Sequence, residues 1–246
     1  AGGFVPRGAK RADGSPHPHA GTGFGLNVEW AYPHDRPGGP ERLADRIERY
    51  RVQQYGYDGK NFRIASSHAI EVHQPMSCAI PDGDDLLMVL MPRSEADVFV
   101  KPHAKGDVDR WRIEANQHLD DSMLQLSHLV GITRWRFDAN QGWKVIEYMP
   151  IPAATNMCEA SLIRDVDGSL LVTARSWVPP IYDVFVWQSR DNGASWEEII
   201  HAENLRRAPV SINRSVDGTP YVASNPLHTL SGQPRDYRTV LHLWPL

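Results

Sequence analysis

The chain has 246 residues and a formal charge of −4, with 23% charged residues of both signs intermixed. No basic stripe marks a nucleic-acid surface, and no apolar run reaches the ~18 residues of a membrane span. A chain of this length buries roughly 70–75% of its unfolded surface, so its core needs no disulfide. Cys78 and Cys158 are the two cysteines, and they are expected as buried free thiols.

In chain order, residues 1–45 read as loops. Gly2-Gly3, Pro16-His17-Pro18-His19 and Pro37-Gly38-Gly39-Pro40 interrupt any long element. The run Gly21-Thr22-Gly23-Phe24-Gly25 lacks the Lys and the following helix of a phosphate loop, and reads as a glycine-rich strand. Glu41 to Tyr50 holds helix-forming residues, compatible with a short helix or turn. From Arg51 the pattern alternates as a strand does.

A repeat then dominates. A β-like run, a turn rich in Gly, Asn or Asp and an aromatic residue recur at Phe62, Trp111, Trp143 and Trp196. The steps are 49, 32 and 53 residues, close on average to the ~45 residues of a four-stranded propeller blade. A second hairpin recurs as Arg164-Asp165-Val166-Asp167-Gly168 and Arg214-Ser215-Val216-Asp217-Gly218, with a looser copy at Ile80-Pro81-Asp82-Gly83. Asp-Gly between two β-rich runs signals a tight turn, because Gly accepts positive φ at low cost. The hairpins interleave, inner then outer, as blade strands do. The expected fold is an all-β single domain, a β-propeller of about five visible blades in a six-bladed ring. Its blades fall near 46–73, 76–118, 122–150, 157–201 and 207–246, after a loop-rich part at 1–45.

Ser189-Arg190-Asp191-Asn192-Gly193-Ala194-Ser195-Trp196 fits Ser-x-Asp-x-Gly-x-x-Trp. Ser and Asp bond turn amides, Gly supplies the left-handed corner, and Trp folds back on the apolar face. The motif is structural, not catalytic. Through it the chain resembles the sialidase-like superfamily of Asp-box (BNR-repeat) propellers over residues 46–246. Asn156-Met157-Cys158-Glu159-Ala160-Ser161 and Ala174-Arg175-Ser176 are similar to the sialidase segment that carries a catalytic-site Glu and a carboxylate-binding Arg. The resemblance implies that Glu159 partners a nucleophilic Tyr and that Arg175 binds a substrate carboxylate. Arg238, in Asp236-Tyr237-Arg238, falls where a further triad Arg is expected. The chemistry suits these residue types: a Tyr hydroxyl titrates near ~10 and needs a base, and the planar Arg fork pairs bidentately with a carboxylate. Two departures stand beside the likeness. The Arg-Ile-Pro signature is missing, and the Tyr nucleophile would lie after residue 246.

The implied function is glycoside hydrolysis of an acidic-sugar-containing glycan outside the cytoplasm, secreted or periplasmic, with no cofactor. Two alternatives stay open. One is a polysaccharide lyase on uronates, with His19 and Tyr237 as a His/Tyr base that abstracts the proton and Arg175 neutralising the uronate. The other is a non-catalytic glycan-binding propeller. Inner-strand starts should carry the ligand contacts, so Asn213 joins Arg175 and Arg238 as a binding candidate, with Glu159, His19 and Tyr237 as catalytic candidates. His17 and His19 lie on one face of an extended segment but lack the third ligand of a zinc site, so no metal is expected. Asn213-Arg214-Ser215 fits a glycosylation acceptor and reads as turn chemistry.

Overall fold

A computed structural model describes residues 2–5, 7–11, 13–31, 47–57, 62–70, 79–90, 129–138, 142–155, 157–176, 183–203, 210–225 and 241–246. Among them the chain is all-β, with several antiparallel sheets, none closed on itself. None of their helices is long and apolar enough to cross a membrane. The first sheet joins β1 (Gly2–Phe4), β2 (Thr22–Ala31), β3 (Ile47–Tyr57) and β4 (Phe62–Ile70). The second joins β5 (Ile80–Asp82), β6 (Asp85–Leu90), β7 (Leu129–Asp138) and β8 (Gly142–Thr155). The third joins β9 (Met157–Arg164), β10 (Leu170–Ser176), β11 (Val184–Ser189) and β12 (Glu197–Ala202). The fourth joins β13 (Ser211–Arg214), β14 (Pro220–Ser224) and β15 (His242–Pro245). In every sheet the strands pair in chain order as a meander.

Several expectations are corrected here. Residues 1–45 are not loops throughout: β1 and β2 pair antiparallel and β2 pairs on with β3, so the unit at 46–73 is only the second half of the first sheet. The signal lay in Phe24, Leu26, Val28 and Trp30, a strict alternation behind the glycines. Residues 47–50, expected in a helix or turn, open β3 instead. The units at 76–118 and 122–150 contribute to one sheet, because β6 pairs with β7 across residues 91–128, Leu86 opposite Trp135 and Leu90 opposite Gly131. The expected hairpin ending at Trp111 lies outside the described residues, as does Cys78.

The third sheet is packed on both faces. Leu170, Val172 and Ala174 of β10 and Trp187 of β11 pack against Leu87, Val89, Ile132 and Met149 of the second sheet. Leu171, Val184 and Val186 pack against Val210, Ile212 and Val222, at and beside the fourth sheet. All seven residues of β10 are therefore buried, which is why Leu170-Leu171-Val172 reads as an apolar run instead of an alternating one, with Thr173, Arg175 and Ser176 as buried polar residues after it. β12, at the far edge, is largely exposed and charged.

Apolar faces attract without direction; polar contacts between turns set which turn meets which. Arg164, at the end of β9, donates from Nη2 to Asp82 Oδ1 of the β5–β6 turn at 2.9 Å and from Nη1 to Gly168 O of its own turn at 3.0 Å. Arg134 also bonds Asp82 and reaches Glu147 at 3.0 Å. Fifty residues on, Arg214 repeats the gesture, donating to the Arg164 carbonyl and pairing with Asp165 at 3.2 Å. The two turns themselves are copies: Gly168 N to Asp165 O and Gly218 N to Ser215 O both measure 3.0 Å.

The Asp-box joins β11 to β12. Ser189 Oγ donates to Asp191 Oδ1 at 2.8 Å and accepts Gly193 N–H at 2.7 Å, and Ser195 N–H donates to Asp191 Oδ1 at 2.8 Å. Gly193 has φ of 96°, so the backbone favours glycine, and a Cβ there would meet Met149 Sδ of the second sheet at 2.9 Å and push that side chain aside. Trp196 packs on the core between the second and third sheets.

Two outcomes follow. Asp82→Ala removes the common partner of Arg134, Arg164 and Asn192, and urea titration should show a loss of about 2 kcal/mol; a change below ~0.5 kcal/mol would rule out this inter-sheet tie. Asp191 is held down at about 2, first by the Ser195 hydroxyl and amide and then by Ser189. A depressed carboxylate contributes stability that is present above its unfolded value and lost as pH falls through the folded one. Thermal melts between pH 4 and 2 should therefore be steeper for the wild type than for Asp191→Asn, which starts less stable at neutral pH.

Candidate functional site

The end of the third sheet opposite these turns holds the most unusual backbone. Glu159 has φ of 53°, a left-handed conformation that costs a non-glycine residue ~1–3 kcal/mol. Its origin is a bulge: Thr173 pairs with Ser161 and Arg175 with Cys158, so Glu159 and Ala160 share the place opposite Ala174. The bulge turns the Glu159 carboxylate onto the Nε edge of Arg175, with which it forms an ion pair. The Arg175 side chain is 5% exposed and that of Glu159 16%. Arg175 Nη1 also approaches Ser176 O at 3.4 Å.

Beyond the pair, Ser176 N–H donates to Asp183 O at 2.9 Å, and Asp183 N–H donates to Ser176 Oγ at 3.3 Å. These bonds hold Ser176 and Asp183 together next to Arg175. The buried Asp183 carboxylate meets His201 Nε2 of β12 at 2.8 Å. His201 stacks on Phe185, with ring centroids 4.3 Å apart, and Phe185 stacks on Trp187 at 5.4 Å. The hydrogen bond that His201 Nε2 donates to the Asp183 carboxylate, more than any other influence, raises the His201 pKa above 6.5.

Of the residues singled out in the sequence, Glu159 and Arg175 come together. His19 does not join them. It lies beside the β5–β6 turn, its ring edge-on to Phe137 at 5.1 Å. That turn meets Arg164, five residues along β9 from Glu159, roughly 17 Å at strand rise. Burial, more than the nearby His17, lowers the His19 pKa, so the ring is neutral at pH 7. Asn213 is exposed on β13, its Nδ2 donating to Ser211 Oγ at 3.3 Å. Tyr237 and Arg238 lie outside the described residues. No group of three or more His, Cys, Asp or Glu among the described residues is arranged to hold a metal ion.

Sequence reasoning missed Asp183 and His201. Their separation of 18 residues across a hairpin carries no motif, and only the pairing of Phe185 with His201 brings the imidazole to that edge. An NMR titration should place the His201 pKa above 6.5, and Asp183→Asn should return it toward that value. The folded-state pKa is raised, so this pair stabilises the fold below pH ~6.5 and its contribution fades as pH rises through the folded value. Equal titration in wild type and variant would remove Asp183 as the cause.

No protein-family model matches the chain, and no curated protein sequence matches it.

Proposed function

We propose that the sheets are blades of a sialidase-type β-propeller and that the chain is a glycoside hydrolase acting on a glycan that contains an acidic sugar. The fold part rests on three features: meander sheets stacked face to face, a repeated inner-hairpin turn, and an Asp-box between the third and fourth strands of its sheet. The functional part rests on the strained, bulged Glu159 ion-paired with the nearly buried Arg175.

An unfavourable φ persists only where surrounding structure over-determines it, and here it sets a carboxylate against a guanidinium. Glu159 holds the Arg175 fork on its Nε edge, which orients the Nη edge for a substrate carboxylate. Two charge-assisted N–H···O bonds of that kind supply orientation as well as affinity. Glu159, the more exposed partner, is placed to accept a proton from an attacking hydroxyl, the role a base plays for a weak nucleophile. A uronate lyase with His19 as the base is disfavoured, since His19 sits at the other end of the sheets from Arg175.

The test uses a fluorogenic aryl sialoside. Wild-type protein should release the aryl alcohol, and Arg175→Ala should lower kcat/KM by roughly 100-fold, the loss of two hydrogen bonds between charged partners. Arg175→Lys, which keeps the charge and loses the fork, should recover little of it. Binding of acidic glycans without turnover would leave a lectin-like propeller. Neither binding nor turnover, in a protein whose circular dichroism shows intact β-structure, would defeat the reading.

A further inference from the structure

A cavity of about 800 Å³ opens at the turn end of the second sheet, far from Glu159 and Arg175, with Arg11, His19, Asp84, Asp85, Arg136 and Phe137 in its wall. Most of its charges are matched in pairs; Asp13, also in the wall, is held instead by Ser15, whose N–H and hydroxyl donate to its Oδ1 at 2.9 and 2.6 Å. Arg11 grips both Asp84 oxygens, the Nη2 to Oδ2 bond measuring 2.9 Å. Arg136 grips Asp85 the same way, at 2.9 and 2.8 Å. Asp82, also in the wall, is met by Arg134 and Arg164 from behind.

Fork-on-carboxylate pairs fix both planes, yet each uses only two of the five guanidinium N–H groups and two of about four carboxylate lone-pair sites. What remains is an array of donors beside acceptors, in which Asp13 is the one charged wall residue paired with a hydroxyl and an amide and not with a cation. The neutral His19 ring and Phe137 add an aromatic wall. Behind His19, at 5.8 Å between rings, lies His17, 3% exposed. His17 Nδ1 accepts the His19 N–H at 3.2 Å, which places its proton on Nε2, a buried donor with no partner among the described residues.

We infer that this cavity binds a neutral polyhydroxylated ligand, a sugar unit held through vicinal hydroxyls. Each such hydroxyl pair donates to a carboxylate and accepts from its guanidinium, while the C–H face of the ring lies on the aromatic wall. A simple ion gains little from charges already paired, and an apolar ligand would leave the array unsatisfied. The site is independent of the proposed hydrolytic one.

The purified chain is applied to an array of neutral gluco-, galacto- and manno-oligosaccharides. At least one should bind, and Arg136→Ala and Phe137→Ala should each weaken binding by ~10-fold or more, a loss of about 1.4 kcal/mol. The Arg136 side chain is 63% exposed but that of its partner Asp85 only 9%, so Arg136→Lys, which keeps a charge beside the buried carboxylate and loses the fork, is tested alongside and should weaken binding with circular dichroism and melting temperature near wild type. Arg175→Ala should bind these glycans as the wild type does, whatever its effect on aryl sialoside turnover. No bound neutral glycan, binding confined to acidic glycans, or binding indifferent to Arg136→Ala would overturn the inference.

Discussion

The structure depends on arginines that reach back. Arg164 and Arg214 each end the first strand of a sheet and donate into the turn of the sheet before it. Hydrophobic stacking alone tolerates sliding, because area is its only currency. A guanidinium seated between a carboxylate and a carbonyl tolerates little. The apolar faces thus supply the attraction, and the arginines choose the alignment. Asp82 gathers Arg134 from its own sheet, and Arg164 and Asn192 from the next. One carboxylate therefore answers both the inner hairpin and the Asp-box of its neighbour.

The same alignment carries the two ends of the molecule apart. At the turn end the tight turns take their positive φ at glycines and at Asn192, and charged side chains pair across them. At the other end the ladder slips by one residue between Thr173 and Arg175, and Glu159 is forced into a conformation it would not choose. A bulge there needs a well-fixed frame to resist relaxing, and the turn-end clamps provide one through the length of β9. Order at one end is the condition for irregularity at the other.

Much of this was legible in the residues. Asp-Gly turns at Asp82-Gly83, Asp167-Gly168 and Asp217-Gly218 and the Asp-box at Ser189 to Trp196 all mark tight turns between paired strands. These signals are local, fixed by φ at one glycine and by side chains bonding nearby amides. The grouping of hairpins into sheets was not legible. β6 and β7 meet across residues 91–128, and long-range pairing leaves no mark in short windows. β2 was hidden by its glycines, although its apolar residues alternate. Glu159 and Arg175 were visible as residue types and not as a bulge, since a register shift belongs to two strands at once. His201 was invisible because its partner is set by a hairpin's register and not by spacing.

β10 gives the architecture its last consequence. Its alternate residues belong to two separate apolar clusters, Leu170, Val172 and Ala174 to one and Leu171 to the other. Four residues of one strand therefore link the two clusters, and β11 does the same through Trp187 on one side and Val184 and Val186 on the other. Opening either interface would wet one face of this strand and weaken its hold on the other. Cooperativity between successive sheets passes through the central strands β10 and β11, so their amides should exchange with solvent only in the global unfolding event.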